Sequence, residues 1–266
     1  MDAVTRNNVN VVGVDDGPPL LLTHGFGCDQ KMWRRVVDRL AATFRIVLVD
    51  HVGSGASDPT AWDERKYSSL QGYADDLIEI VRELGLRDIV LVGHSVSAMI
   101  GTLAVIADPD PFAKLVMVTP SPRYLDDGDY RGGFSAADID ELLESLEANY
   151  LGWSHSMAPV IMGNPDRPEL SDELDASFCR TDPARARVFA RATFLSDNRD
   201  DLAYISVPTL VIECTHDAIA PREVGAYVHS RVPNSTLVTL EATGHCPHVS
   251  DPDATAQAIA AFAAAP

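Results

Sequence analysis

The chain has 266 residues, 46% of them hydrophobic, enough to bury the core of one enzyme-sized α/β domain. Acidic residues outnumber basic ones 39 to 21, and a net charge of −18 repels phosphate backbones and anionic lipid, so nucleic acid is not an expected partner. No apolar run approaches the roughly 20 residues of a membrane helix, and residues 1–10 lack the apolar stretch of a secretory signal, so a cytoplasmic location is expected.

Short, continuous apolar runs punctuate the chain at residues 20–22, 46–49, 89–92, 115–118, 210–212 and 237–240. Runs of this kind are covered on both faces and predict a mostly parallel sheet with flanking helices. Between two of them Leu70, Tyr73, Ala74, Leu77, Ile80, Val81 and Leu84 follow the spacing of an amphipathic helix, which makes one βαβ crossover. From about residue 121 to 197 the strand signal vanishes. Ser135 and Asp138 resemble a capping box there, and Asp182-Pro183 marks another helix start. A helical insert cannot extend a parallel sheet, so it is expected to cap the carboxyl edge, where open α/β sheets bind ligands. The final helix is announced by Asp251-Pro252.

The run at 89–92 leads directly into Gly93-His94-Ser95-Val96-Ser97 and a helix of small and apolar residues. Strand, sharp turn and helix with serine at the apex is the nucleophile elbow of α/β hydrolases. The last position of G-x-S-x-G is here Ser97, a departure that keeps a small side chain. A serine at such a turn is otherwise an ordinary helix cap, so Ser95 needs a base and an acid at neighbouring strand ends. In chain order these are Asp217, within Thr215-His216-Asp217, and His245, within Gly244-His245-Cys246-Pro247-His248. Glu213 is the alternative acid and His248 the alternative base. His94 is expected to be a packing residue under the elbow, and His24, His51, His155, His216 and His229 to be structural or solvated.

An oxyanion needs two donors, expected from the backbone N–H of Val96 and of Phe26 in the loop His24-Gly25-Phe26-Gly27. Gly53-Ser54-Gly55 lacks the pattern of a phosphate loop. Cys28, Cys179, Cys214 and Cys246 are scattered without CxxC spacing and read as reduced, structural thiols. No metal or cofactor is expected.

At these residues the chain resembles one branch of the α/β hydrolases, comprising the RsbQ-type stress-signalling hydrolases of bacteria and the plant strigolactone and karrikin receptor hydrolases. The likeness is carried by the elbow, by the loops at 24–30 and 244–248, and by Tyr67-Ser68-Ser69-Leu70, Ser121-Pro122-Arg123-Tyr124, Gly132-Gly133-Phe134, Asn149-Tyr150 and Ser177-Phe178-Cys179. It implies a core of residues 1–121 and 198–266, with a four-helix V-shaped cap at 122–197. It further implies an apolar pocket lined by Phe26, Tyr124, Phe134, Trp153 and Phe194, and slow hydrolysis of a small hydrophobic ester or lactone. On that likeness the chain is expected to sense a ligand and act on a protein partner, a phosphatase in the bacterial case. The alternative is a plain metabolic carboxylesterase.

Overall fold

Every apolar run lies in one sheet. In the computed structural model, which describes residues 1–265, the strands are β1 (Asn10–Gly13), β2 (Pro19–Thr23), β3 (Arg45–Leu48), β4 (Ile89–His94), β5 (Phe112–Val118), β6 (Thr209–His216) and β7 (Ser235–Thr243). Their spatial order is β1-β3-β2-β4-β5-β6-β7, with β1 antiparallel to β3 and the other pairs parallel. β1 has no counterpart among the runs in the sequence because all four of its residues are exposed. It is an edge strand whose backbone, not its side chains, completes the sheet. β7 forms the opposite edge and most of its residues are half-buried or exposed, so it departs from the two-sided burial expected of it.

Alternation sorts the strand residues onto two faces. Leu21, Val47, Leu91, Leu115 and Val211 meet helices Leu70–Glu83 and Val96–Ala107 on one face. Leu20, Leu22, Ile46, Val90, Val92 and Ile212 meet Trp33 and helices Arg34–Leu40 and Pro252–Ala264 on the other. The Ser69 side chain accepts from the Gln71 N–H and starts helix Leu70–Glu83, whose buried stripe includes Leu70, Tyr73, Ala74, Leu77, Ile80 and Val81.

Between β5 and β6 stand four helices, Ala136–Ala148, Tyr150–Met162, Pro168–Phe178 and Pro183–Phe194. Ser135 and Asp138 form the full capping box of the first, and Asp182 accepts from the Ala184 and Arg185 N–H groups to start the fourth. Their apolar faces form a cluster of their own with Cys28, Met32, Ile219 and Val249 from the sheet layer, so the helices roof the carboxyl ends of the strands. Among the described residues no helix is long and apolar enough to cross a membrane.

Candidate active site

β4 ends in a turn that only a restricted sequence can make. Ser95 adopts φ 57° and ψ −125°, a region costing a non-glycine residue about 1–3 kcal/mol, and its N–H donates to the Val118 carbonyl at 2.8 Å. Gly93 is obligatory, since a Cβ there would lie 2.3 Å from the Ser97 carbonyl oxygen. The turn leaves Ser95 5% exposed, at the start of helix Val96–Ala107.

The loop after β7 brings His245 to this serine, with Nε2 2.7 Å from Ser95 Oγ and Nδ1 2.7 Å from Asp217 Oδ2. A carboxylate only accepts, so Nδ1 carries the imidazole proton and Nε2 is left to accept from the serine hydroxyl. Asp217, just past β6, is fixed in turn. Its Oδ1 accepts from the Ile219 and Ala220 N–H groups at 2.8 and 3.1 Å, and its side chain is 0% exposed.

The alternatives lie elsewhere. His248 is fully buried between the Trp33 and His94 rings, centroids 4.5 and 4.2 Å away, and neither of its ring nitrogens has a partner. Burial pushes its pKa down to about 3, so it stays neutral near neutral pH and is not hydrogen-bonded to Ser95. Glu213 is occupied by Thr239 Oγ1 at 2.8 Å and Arg222 Nε at 3.3 Å. His94 does more than pack, because its Nε2–H donates to the His245 carbonyl at 2.9 Å. His155, His216 and His229 are exposed, whereas His24 and His51 are fully buried.

Gly25 lets the loop after β2 approach the elbow, for a Cβ at that position would sit 2.6 Å from His94 Nδ1 and 3.2 Å from Ser95 Cβ. Neither the Phe26 nor the Val96 N–H has an acceptor among the described residues. The Val96 amide is one of the free donors of a helix N-terminus.

Above Ser95 lies an apolar cavity of about 40 Å³, lined by Phe26, Tyr124, Trp153 and Phe194 together with His245. Phe134 does not line it. Its N–H pairs with the Tyr124 carbonyl at 3.1 Å and its ring packs on the surrounding cluster, so it supports the wall from outside. The sequence reading missed Cys28, Leu142, Met157, Phe178 and Cys246, which also face the cavity. Leu142, Met157 and Phe178 have the helical spacing of ordinary core, Cys28 and Cys246 lie in loops, and only the docking of the roof decides what meets the serine. A wider surface groove of about 750 Å³ runs past Glu213, His216, Asp217 and Arg222, but Ser95 lines only the smaller cavity, which is therefore the candidate site. The Tyr124 hydroxyl stands 3.5 Å from Ser95 Oγ, and burial pushes its pKa up to about 12, so it remains a neutral phenol.

An elbow serine, a carboxylate and a histidine just past β4, β6 and β7, under a helical roof, describe the alpha/beta hydrolase class. The alpha/beta hydrolase family profile matches residues 20–258, and the chain belongs to that family. It is 39% identical over 248 residues to a probable esterase of Oryza sativa subsp. japonica, covering 93% of this chain and 92% of that one. It is 40% identical over 251 residues to a strigolactone esterase of Arabidopsis thaliana, covering 94% and 93%. A hydrolase from Oleispira antarctica superposes with a TM-score of 0.95 at 41% identity, covering 98% of this chain and 96% of that one.

Proposed function

We propose that this chain is a serine hydrolase of the carboxylesterase or lactonase type, with Ser95 as nucleophile, His245 as general base and acid, and Asp217 as the orienting acid. The observation that carries the proposal is the hydrogen-bonded row Asp217–His245–Ser95, opening onto a small apolar cavity.

In this mechanism His245 Nε2 takes the Ser95 proton as Oγ attacks the substrate carbonyl. The developing oxyanion is held by the Phe26 and Val96 amides. Loss of one such donor in other hydrolases costs on the order of 100- to 1,000-fold in rate. The imidazolium then returns its proton to the leaving alkoxide, and water activated by the same histidine hydrolyses the acyl-enzyme. The cavity, with Tyr124, Trp153 and Phe194 on its wall and Phe134 behind it, favours a small hydrophobic ester or lactone. At about 40 Å³ it is smaller than the 300–1,000 Å³ usual for ligand sites, so the roof has to move to admit a substrate, and slow turnover is taken from the likeness to the receptor hydrolases.

A natural division follows, with residues 1–121 and 198–266 as the hydrolase core and 122–197 as the cap. The named relatives include esterases and receptors, among them the karrikin insensitive 2 receptor CA of Petunia hybrida, 38% identical over 248 residues. That kinship supports a ligand-sensing role over a purely metabolic one. In this reading the chain acts in the cytoplasm as a relative of the RsbQ-type hydrolases, and cap movement on binding or acylation is passed to a signalling protein such as a phosphatase.

Hydrolysis of p-nitrophenyl esters and butenolide lactones of graded size, by wild type and by His245→Ala, tests the proposal. Turnover of the small members that is lost in the variant is the expected result. Equal turnover by both proteins rules out His245 as the base.

A further inference from the structure

We propose that Ser97, with His51 behind it, is a positioning residue that ties the His24 carbonyl to the elbow helix and so sets the height of the oxyanion loop. Ser97 is the one position at which the elbow departs from its usual glycine, and the catalytic assignment leaves it without a role. The inference rests on that assignment.

Ser97 Oγ lies 2.5 Å from the His24 carbonyl oxygen and 2.7 Å from His51 Nε2. A carbonyl can only accept, so the single hydroxyl proton of Ser97 goes to His24 and His51 Nε2 must be the donor to Ser97. The His51 backbone N–H donates to His24 Nε2 at 3.1 Å, which leaves the His24 proton on Nδ1, 2.9 Å from the Gly25 carbonyl. Every hydrogen bond in this circuit then has one donor and one acceptor. Ser97, His24 and His51 are each 0% exposed, so water does not compete for these groups.

The circuit joins the carboxyl ends of three adjacent strands. His24 follows β2, His51 follows β3, and Ser97 stands two residues beyond Ser95 after β4, with β2 lying between the other two. Phe26, whose amide is one of the proposed oxyanion donors, is two residues from the clamped His24 carbonyl, and Val96, the other donor, immediately precedes Ser97. A hydroxyl bridging the two segments therefore fixes the distance between the two amides. A glycine at position 97 would complete the elbow but leave that distance to loop packing. Because misplacement by about 1 Å can cost on the order of 100-fold, a bridge of this kind acts on rate without touching substrate.

The test compares p-nitrophenyl acetate with its thiono analogue, whose sulfur accepts hydrogen bonds poorly and so draws little from the two amides. In Ser97→Ala the oxoester kcat is expected to fall about ten- to a hundredfold with KM held within about threefold, while the thionoester rate barely changes. Ser97→Gly should behave alike, and His51→Gln, which can still donate to Ser97, should lose less than His51→Leu. Circular dichroism and thermal unfolding establish that each variant is folded, and Ser97→Gly stands in if Ser97→Ala is not. An unchanged oxoester-to-thionoester ratio in the folded Ser97 variant overturns the proposal. Wild-type turnover surviving in Ser95→Ala overturns the catalytic assignment instead, whatever the Ser97 variants do.

Discussion

The His245 N–H donates to the Ile161 carbonyl at 2.8 Å, so the backbone of the proposed base is bonded to the last turn of the cap helix Tyr150–Met162. Asn164 Nδ2 strengthens the junction by donating to both Met162 and Thr243 carbonyls, at 2.6 and 2.8 Å. On its other side the His245 carbonyl accepts from His94 Nε2 and from Thr119 Oγ1. The backbone of His245 is thus held by one bond to helix Tyr150–Met162 and two to the sheet layer, while its ring is held by Asp217 and Ser95. A shift of helix Tyr150–Met162 would therefore be felt at the backbone of His245.

Gly244 is the tightest point of that junction. It has φ +93°, and a Cβ there would lie 1.9 Å from the Met162 carbonyl oxygen, a backbone atom that cannot swing away. Gly244→Ala is expected to destabilise the protein by about 2 kcal/mol or more, from strain and displacement of the cap helix, and to lower kcat at least tenfold. Urea unfolding and ester kinetics on the same preparation check both.

Asp217→Asn keeps the shape of the orienting group but can donate to His245 Nδ1, which places the imidazole proton on Nε2, facing the serine. The expected loss in kcat is on the order of 10,000-fold with an intact fold, a magnitude taken from the same exchange in other triads. A loss below tenfold in steady-state assays would show that Asp217 does not set the tautomer.

Tyr124→Phe should do little. At 3.5 Å its hydroxyl is outside the 2.5–3.0 Å range of a good O–H···O bond, and it has no other partner among the described residues. Removing it should change kcat on simple esters by less than about threefold, and thermal stability should be unchanged or raised, because a poorly satisfied buried polar group is lost.

Acid should destabilise the fold through its buried neutral histidines. Burial holds His248 at about 3, and His51 and His94 well below the usual range, whereas in the unfolded chain all three titrate near 6.5. Below about pH 6.5 the unfolded state binds more protons than the folded one, so this contribution is full above that pH and is lost as the pH falls towards 3. His248→Leu removes one such group, and with it two unpartnered nitrogens. Between pH 7 and pH 5 the denaturant midpoint should fall less in the variant than in wild type.

Sheet and elbow were legible because their signals are local. Buried strands are written as continuous runs, and the turn at Ser95 demands Gly93 and small neighbours whatever surrounds them. Asp217 and His245 could be picked out because chain order and strand ends restrict the choice. β1 was illegible because an exposed edge strand carries no burial pattern. The wall of the cavity was only partly legible: Met157, Leu174 and Phe178 have the spacing of core residues, while Phe134, singled out by the family resemblance, packs on the supporting cluster instead. The role of Ser97 was hidden too, because its partners His24 and His51 come from two other strand ends and meet it only in three dimensions.

Intact-mass and peptide mapping after treatment with a fluorophosphonate, on wild type and Ser95→Ala, tests the catalytic assignment most directly. A single adduct on the peptide containing Ser95, absent from the folded Ser95→Ala protein, is the predicted result. An adduct on another residue, or labelling that persists in Ser95→Ala, would contradict it.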